Sequence, residues 1–397
     1  MSQNHADVIV IGAGVIGCSI AFHLATLGRL RVHVVDRLGI GAGTSAQSSG
    51  ILRTHYSVPQ NVELARRSFA AFERFADYVG DDEADAGLVR CGYLIAAPEG
   101  PRLAALQAAL AQQQAMGVPV HFLDAREAAK RLPIARFDDA ALIGFEPEAG
   151  FADAYLVASG FARAARRHGA RFFEGLAVEG LLREGSRVTG VLTAQGPMHA
   201  GLVISAQNIW TPELQAWTGI AMPVQPELHR VFAFETPAAP YTHAMPVYKD
   251  LGSPGMIYCR SYGGRQMLAS EGTAGERLAA PEIEQADIPI DAVIEVGEQV
   301  AARFPAYAEA GLASSWTGVY DVTPDWNPVL GAVPGVEGLL VAFGFSGHGF
   351  KLSPAVGRLV AQLALAQPTE VSAEPYAIER FAQGRLLTGA YGAGAVS

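Results

Sequence analysis

A chain of 397 residues, 50% of them hydrophobic, has enough apolar material for a large core, and its length predicts two or three domains. The 39 Asp and Glu residues outnumber the 29 Lys and Arg residues, and the resulting net charge of -10 disfavours nucleic acid or an anionic membrane surface as a partner. The three widely separated cysteines, Cys18, Cys91 and Cys259, lack metal-ligand spacing, so neither a metal site nor a disulfide framework is expected.

The N-terminal segment MSQNHAD lacks the basic region and the cleavage site of a secretory signal. No uncharged apolar run reaches the length that spans a membrane. Together with the cysteine pattern, these features predict a cytoplasmic protein without a membrane span.

The first predicted elements are a strand, a glycine turn and a helix. The apolar run DVIVI leads into Gly12, Gly14 and Gly17, and the segment CSIAFHLATLG then has the periodicity of a helix. The next strand, RVHVVD, ends at Asp36, where a carboxylate can accept hydrogen bonds from an adenosine ribose. This G-x-G-x-x-G pattern, in its required context, predicts a dinucleotide-binding βαβ unit.

The segment that follows, GIGAGTSAQSSGILR at 39–53, is rich in glycine and hydroxyl side chains. FAD and NAD both place a pyrophosphate at the N-terminus of the first helix, so the glycine motif alone does not separate them. Glycines and hydroxyls directly after the ribose position suit the remainder of an extended cofactor, which favours FAD.

The middle of the chain predicts an alanine-rich helix at 104–115, a helix followed by a strand at 161–181, and strands at 91–97 and 229–236. The segment MIYCRSYGGRQMLASEG predicts a β-hairpin around Gly263 and Gly264.

Near the C-terminus, an apolar strand leads into GFSGHGFKLSPAVG at 344–357 and then into a helical pattern. Ser353 is the predicted N-cap and Pro354 the predicted first helical residue. The glycines allow close backbone approach, and Lys351 with the free helical N–H groups offers positive potential to an anion. An ordinary glycine-rich turn explains the same residues equally well.

Three motifs, in order, resemble the D-amino acid oxidase-like FAD-dependent oxidoreductases, and within that family the sarcosine oxidases: the N-terminal glycine motif, GTSAQSSGILRTHY and GFSGHGFKLSPAVG. The resemblance implies an α/β fold of two domains. One is a discontinuous Rossmann-like FAD-binding domain, residues 1–90, 150–222 and 325–397, and the other, residues 91–149 and 223–324, is a substrate domain with a mostly antiparallel sheet.

The resemblance also implies site residues. Arg53 and Lys351 match a pair that binds the substrate carboxylate, Tyr258, Arg260 and Tyr320 lie on segments expected to line the pocket, and His348 is expected to contact flavin or support its loop. The residues expected to bind FAD are Gly12, Gly14, Val15, Ile16, Gly17, Asp36, Arg37, Gly43, Thr44, Ser45, Ser49, Gly50, Val178, Gly344, Gly347, His348, Gly349, Phe350 and Lys351.

The resemblance also implies that LVISAQNIW at 202–210 is a strand followed by a turn, where the family has a glycine and this chain has Asn208. Asparagine tolerates the left-handed backbone conformation of such a turn, and the alternative is a locally altered cofactor contact.

Two further departures from the family pattern bear on the chemistry. Relatives that link the flavin covalently use a cysteine or a histidine where this chain has Gly318 and Ala46, so FAD is expected to bind noncovalently. Met267 falls about where sarcosine oxidase has a lysine that activates dioxygen, so the resemblance leaves oxidase and dehydrogenase activity open.

The leading hypothesis is an FAD enzyme that oxidises the C–N bond of a small, N-substituted amino acid by hydride transfer to flavin, giving an imine that hydrolyses. A 2-hydroxy acid dehydrogenase would use the same carboxylate clamp, and a flavin-carrying subunit of a heteromeric amine-oxidising complex is a third hypothesis. Comparing amines with hydroxy acids for flavin bleaching distinguishes the first two hypotheses. Activity of the purified single chain distinguishes them from the third. The oligomeric state is not predicted.

Overall fold

The computed structural model describes residues 5–281, 283 and 287–390. Its α-helices are α1 Val15–Leu27, α2 Pro59–Glu73, α3 Phe75–Val79, α4 Pro101–Ala115, α5 Ala125–Arg131, α6 Ala154–Arg167, α7 Thr211–Thr218, α8 Ile290–Arg303, α9 Gly349–Ala364 and α10 Glu379–Ala382. Its β-strands are β1 Val8–Ile11, β2 Val32–Asp36, β3 Ile51–Leu52, β4 Val89–Arg90, β5 Tyr93–Ala97, β6 His121–Leu123, β7 Leu142–Glu146, β8 Gly150–Phe151, β9 Arg171–Glu174, β10 Val178–Glu184, β11 Arg187–Thr193, β12 Gly196–His199, β13 Leu202–Ser205, β14 Gln225–Glu235, β15 Val247–Asp250, β16 Tyr258–Tyr262, β17 Gln266–Ser270, β18 Glu276–Arg277, β19 Gly311–Val322, β20 Val329–Val333 and β21 Val336–Phe343.

The first sheet has the order β10-β11-β21-β13-β1-β2-β9, with β12 added to β11 and β20 added to β21. Its central pairs, from β21 through β13 and β1 to β2 and β9, are all parallel. Alternate residues of β1 are buried on opposite faces: Val8 and Val10 pack in one apolar cluster, and Ile9 and Ile11 pack in another. A parallel sheet buried on both faces is the arrangement expected for a doubly wound dinucleotide-binding fold.

Helices α1, α6 and α9 pack together over one face of this sheet. The crossing of α1 and α9 is close, because a Cβ at Gly357 would lie 2.1 Å from Ser19 Oγ. Glycine therefore lets the two helices approach each other, and this contact fixes the start of α9 relative to the start of α1.

The second sheet has the order β18-β14-β17-β16-β15-β5-β7-β6, with β19 added to β14. All of its pairs are antiparallel except the pair of β5 and β15. Helices α5 and α8 cover one face around the buried side chains of Phe232, Phe304 and Tyr248. The predicted fold class, a Rossmann-like α/β unit with a mostly antiparallel second sheet, is confirmed, whereas the exact domain boundaries stay a prediction.

Several predicted elements are confirmed. The hairpin is formed by β16 and β17, with Tyr262 opposite Gln266, and the alanine-rich segment is helix α4. Asn208 has a φ of +51°, the left-handed conformation expected for the turn after β13. Helix α6 begins ahead of the predicted segment, because the Asp153 carboxylate accepts hydrogen bonds from the backbone N–H groups of Tyr155 and Leu156.

The predicted start of the last long helix is wrong. Helix α9 begins at Gly349, and Pro354 lies inside it, where its missing N–H removes one helical hydrogen bond. The preceding turn explains the early start: Ser346 and Gly347 have φ values of +50° and +83°, so the chain has already reversed when it reaches His348. Ser353 is therefore an interior helical residue, and Lys351 lies in the first turn.

Candidate active site

Two connected cavities lie where β1, β13 and β21 end, at the carboxyl edge of the first sheet. The outer cavity is lined by Gly12, Asp36, Arg37, Gly43, Val178 and Trp210, among others. The inner cavity is lined by Arg53, Lys249, Tyr258, Tyr320, Gly347 and Lys351, among others, and runs beneath the second sheet. Both cavities are bordered by Gly14, Thr44, Ser45, Ala206 and Asn208, so together they form one extended slot.

The N-terminus of α1 faces this slot. Gly14 is its N-cap residue, and the first turn contains no acidic residue. Of the first N–H groups, that of Val15 donates to Ser45 Oγ at 3.1 Å. A Cβ at Gly14 would meet only Ser45 Oγ, at 3.4 Å, so the space beside the glycine belongs to the slot. Free helical N–H groups and the positive end of the helix dipole at this place suit a pyrophosphate.

Asp36 lies in the outer cavity with its carboxylate fixed by the backbone. Oδ2 accepts from the Ala13 N–H at 2.6 Å, and Oδ1 accepts from the N–H groups of Leu38 and Gly39 at 2.7 and 2.8 Å. An ionised carboxylate has about four lone-pair positions, so about one remains for a ribose hydroxyl. Arg37, also in this cavity, lies 4.8 Å from the centre of the Trp210 ring.

Most of the predicted cofactor residues line the slot: Gly12, Gly14, Val15, Ile16, Asp36, Arg37, Gly43, Thr44, Ser45, Ser49, Val178, Gly347, Gly349, Phe350 and Lys351. Gly17, Gly50, Gly344 and His348 do not. A Cβ at Gly17 would lie 1.9 Å from the carbonyl oxygen of Gly12, and a Cβ at Gly50 would lie 2.1 Å from that of Ala152. These glycines permit backbone packing around the slot rather than contact with its contents.

Arg53 lies at the inner end of the slot and is 5% exposed. Its guanidinium lies 4.8 Å from the centre of the Tyr56 ring and 5.7 Å from that of Tyr93, and it donates a hydrogen bond to the carbonyl oxygen of His55. The neighbouring Glu146 does not pair with it, because its carboxylate accepts hydrogen bonds from Thr54 and from the His55 N–H. Arg53 is thus a buried cation with no ion pair to any residue that the structure describes.

Lys351 reaches the same cavity from the first turn of α9 and is 9% exposed. Burial, together with the charge of Arg53, holds the pKa of the Lys351 ammonium well below its usual value. Two buried basic side chains lie beside an open space, and neither forms an ion pair with a described residue. They provide a binding site for a carboxylate.

Two tyrosines and a histidine form the roof of the inner cavity on the second sheet. The hydroxyl groups of Tyr258 and Tyr320 hydrogen-bond to each other, and the Tyr320 ring stacks on His229 with a centroid distance of 3.9 Å. Burial raises the pKa of Tyr320 well above its usual value and lowers that of His229 to about 4, so both side chains are neutral at pH 7.

The structure does not bring Arg260 and His348 to the cavity wall. Arg260 Nε donates to the carbonyl oxygen of Ser49 at 2.6 Å, so Arg260 instead holds the loop that lines the slot. His348 is flanked by two lining glycines, and both of its ring nitrogens are buried without a hydrogen bond to any described residue. Such orphaned polar atoms indicate a polar partner outside the chain, which fits a cofactor bound at this turn.

Met267 faces away from the cavity. Its side chain is fully buried in the core between the second sheet and α8, whereas the adjacent Leu268 packs with Val231, which lines the inner cavity. Successive side chains alternate across a strand, so Met267 lies on the face of β17 away from the cavity, and its correspondence to the family's lysine stays a prediction. Gly318 lines the cavity opposite Gln47, and none of the chain's three cysteines lines it.

The lining side chains that sequence reasoning missed include His229 and Lys249. His229 begins a segment that was predicted to be a strand, but a strand pattern does not show which sheet face covers a cavity. Lys249 lies on β15, whose four residues are all buried. An isolated lysine between Tyr248 and Asp250 was the sequence signal that could have indicated a site residue there. The described residues contain no group of His, Cys, Asp and Glu that could hold a metal, and they contain no helix that is long and apolar enough to cross a membrane.

The site combines a helix N-terminus that suits a pyrophosphate, a carboxylate placed to bind a ribose, and an inner cavity with buried basic side chains. These features are those of a dinucleotide-dependent oxidoreductase. The chain belongs to the DAO family of FAD-dependent oxidoreductases, whose family profile matches residues 7–363. FAD is accordingly its cofactor, and the slot described above fits it.

Individual relatives agree with this assignment. The chain is 28% identical to the 4-methylaminobutanoate oxidase (formaldehyde-forming) of Paenarthrobacter nicotinovorans, over 95% of this chain but only 46% of that protein. It is 25% identical to the sarcosine oxidase subunit beta of Arthrobacter sp, over 98% of this chain and 94% of that subunit. The L-proline dehydrogenase from P. horikoshii superposes with a TM-score of 0.88 at 26% identity, over 97% of this chain and 100% of that one. The glycine oxidase from Geobacillus kaustophilus superposes with a TM-score of 0.83 at 26% identity, over 95% and 99%.

Proposed function

We propose that the protein oxidises the C–N bond of a small, N-substituted amino acid. The observation that carries this proposal is the pair of buried basic side chains, Arg53 and Lys351, which lines the inner cavity and forms no ion pair with any described residue. The relatives named above support it, because their names include an oxidase of a methylamino acid, a sarcosine oxidase subunit and a glycine oxidase.

In this proposal, Arg53 and Lys351 bind the carboxylate and thereby fix the carbon that loses hydride. Arginine can donate two parallel hydrogen bonds to a carboxylate, and lysine adds a compact charge. The loops after β1 and β2 and the N-terminal turn of α9 hold FAD, which supplies a hydride acceptor in the slot when bound.

The same cations favour the reactive form of the amine. A substrate ammonium in the cavity is repelled by Arg53 and Lys351 once the carboxylate charge has been compensated, and this repulsion lowers its pKa. The ammonium gives up a proton to water, and the lone pair of the neutral amine assists hydride loss from the adjacent carbon. The resulting iminium ion, the protonated imine, is hydrolysed by water. Tyr258 and Tyr320 close the cavity above the substrate and limit access of water before hydride transfer.

Noncovalent binding of FAD is part of this proposal. Gly318 lines the cavity but has no side chain that can form a bond to flavin, and Ala46 has only a methyl group.

The test is anaerobic reduction of the enzyme-bound flavin by a panel of substrates. N-Alkyl amino acids are expected to bleach the flavin absorbance, and primary amino acids of the same size to react more slowly. Amines without a carboxylate should bind weakly. Flavin reduction by 2-hydroxy acids and not by amines would refute the proposal and select the dehydrogenase alternative.

A further inference from the structure

Lys249 faces the inner cavity from β15. Its neighbours along the strand face the opposite side, where Tyr248 packs against Phe304 and Asp250 pairs with Arg303 at 2.9 Å. Strand alternation therefore places the Lys249 side chain on the cavity side, and it lines the same space as Arg53 and Lys351.

The ammonium of Lys249 is buried and held in place. The residue is 3% exposed, its Nζ donates to the carbonyl oxygen of Met256 at 2.6 Å, and a Cβ at Gly272 would lie 1.7 Å from that nitrogen. One hydrogen bond uses one of the three ammonium donors. Within the described residues, Lys249 forms no ion pair, so two donors remain for a ligand.

The charges that line the inner cavity do not balance. Its cationic side chains are Arg53, Lys249 and Lys351, and its acidic lining residue among those described is Asp321. The Asp321 carboxylate is buried and accepts a hydrogen bond from the backbone N–H of Gly344, so it points to the turn before α9. A ligand with one carboxylate would engage Arg53 and Lys351 and leave the third cation without a partner.

A buried ammonium without an anion is unfavourable, and its protonation state reflects this. Burial, followed by the charge of Arg53, lowers the pKa of Lys249 to about 7. An anion placed beside Nζ would stabilise the charged form and raise that pKa again. The chain has only three lysines, and two of them line this cavity. The third, Lys130, is exposed on α5.

We propose that the preferred substrate is an N-substituted amino acid with a second carboxylate and that Lys249 binds this second carboxylate. This inference rests on the proposed function, since it assumes that Arg53 and Lys351 bind the first carboxylate. Lys249 then acts as a specificity-determining residue that distinguishes amino dicarboxylates from amino monocarboxylates of the same backbone.

The experiment compares matched pairs of ligands on the FAD-loaded enzyme. The reactive pair is N-methylglycine and N-(carboxymethyl)glycine. The unreactive pair is (methylthio)acetate and thiodiacetate, the thioethers in which sulfur replaces the amine nitrogen. Flavin reduction gives the kinetic preference, and perturbation of the flavin absorbance spectrum gives dissociation constants without turnover. The wild-type protein is expected to prefer the dicarboxylate at least tenfold in both pairs.

The variants are Lys249→Met, Lys249→Arg and the matched surface control Lys130→Met. Lys249→Met should reduce the dicarboxylate preference at least tenfold, Lys249→Arg should retain most of it, and Lys130→Met should leave it unchanged. FAD content and the unfolding midpoint of each variant show whether it has folded.

Two results would overturn the inference: a wild-type enzyme that prefers the monocarboxylates, or a Lys249→Met variant with an unchanged dicarboxylate preference. Failure of the proposed function is a separate result. If hydroxy acids and not amines reduce the flavin, the thioether pair still measures the preference and decides the role of Lys249.

Discussion

Replacing Gly347 with alanine tests the arrangement of the cavity roof. Gly347 lines the inner cavity with a φ of +83°, and an added Cβ would lie 2.5 Å from Tyr320 Cε2 and 2.7 Å from Cζ. Carbon atoms in contact are about 3.5–4.0 Å apart, so the ring must move by about 1 Å. That movement disturbs its stacking on His229 and its hydrogen bond with Tyr258.

Two energetic effects contribute, and a control variant separates them. Alanine in a left-handed conformation costs about 1–2 kcal/mol wherever it occurs. Overpacking against the buried Tyr320 ring adds about 1–3 kcal/mol. Gly335, in the turn between β20 and β21, has a similar φ of +72°, but a Cβ added there would have no described atom within 4 Å, so Gly335→Ala incurs only the first effect.

Denaturant unfolding of the FAD-loaded proteins measures the difference in the free energy of unfolding. We expect Gly335→Ala to lose about 1–2 kcal/mol and Gly347→Ala about 2–5 kcal/mol, the sums of these effects. Substrate binding should weaken in Gly347→Ala alone, because only this change displaces the roof. Equal destabilisation of the two variants, with substrate affinity as in the wild type, would refute the close contact of Gly347 and Tyr320.

Arg53→Met should weaken binding of carboxylate substrates by about 2–5 kcal/mol, with FAD retained, because it removes one side of a buried charge pair. Lys351→Met should weaken substrate binding and also slow the limiting rate of flavin reduction. Unchanged affinities and rates in both variants would show that the carboxylate binds elsewhere. Acid or heat denaturation should release FAD into the supernatant, since Gly318 and Ala46 offer no linking atom; flavin that stays with the washed precipitate would contradict this. Gly14→Val should lose the flavin although the protein folds, because its side chain enters an open part of the slot, and full flavin occupancy would show that the pyrophosphate lies elsewhere.

The sequence alone was sufficient for the local features of this protein. The glycine motif of β1 and α1 and the hairpin around Gly263 follow from backbone preferences over a few residues, and the structure contains both. The family resemblance added the pairing of Arg53 with Lys351, which lie far apart in the chain and line one cavity in the fold.

The tertiary structure decided which faces and which ends of these elements meet. Strand alternation shows that Met267 and Leu268 lie on opposite faces of β17, but only the packing of the sheet shows which face covers the cavity. The same information brings Lys249 into the site and takes Arg260 out of it. Local preference also predicted Pro354 as the first residue of α9, whereas after the turn at Gly347 the helix begins at Gly349. The physical reason is common to these cases: periodicity and propensity act along the chain, whereas a cavity is formed by segments that meet across it.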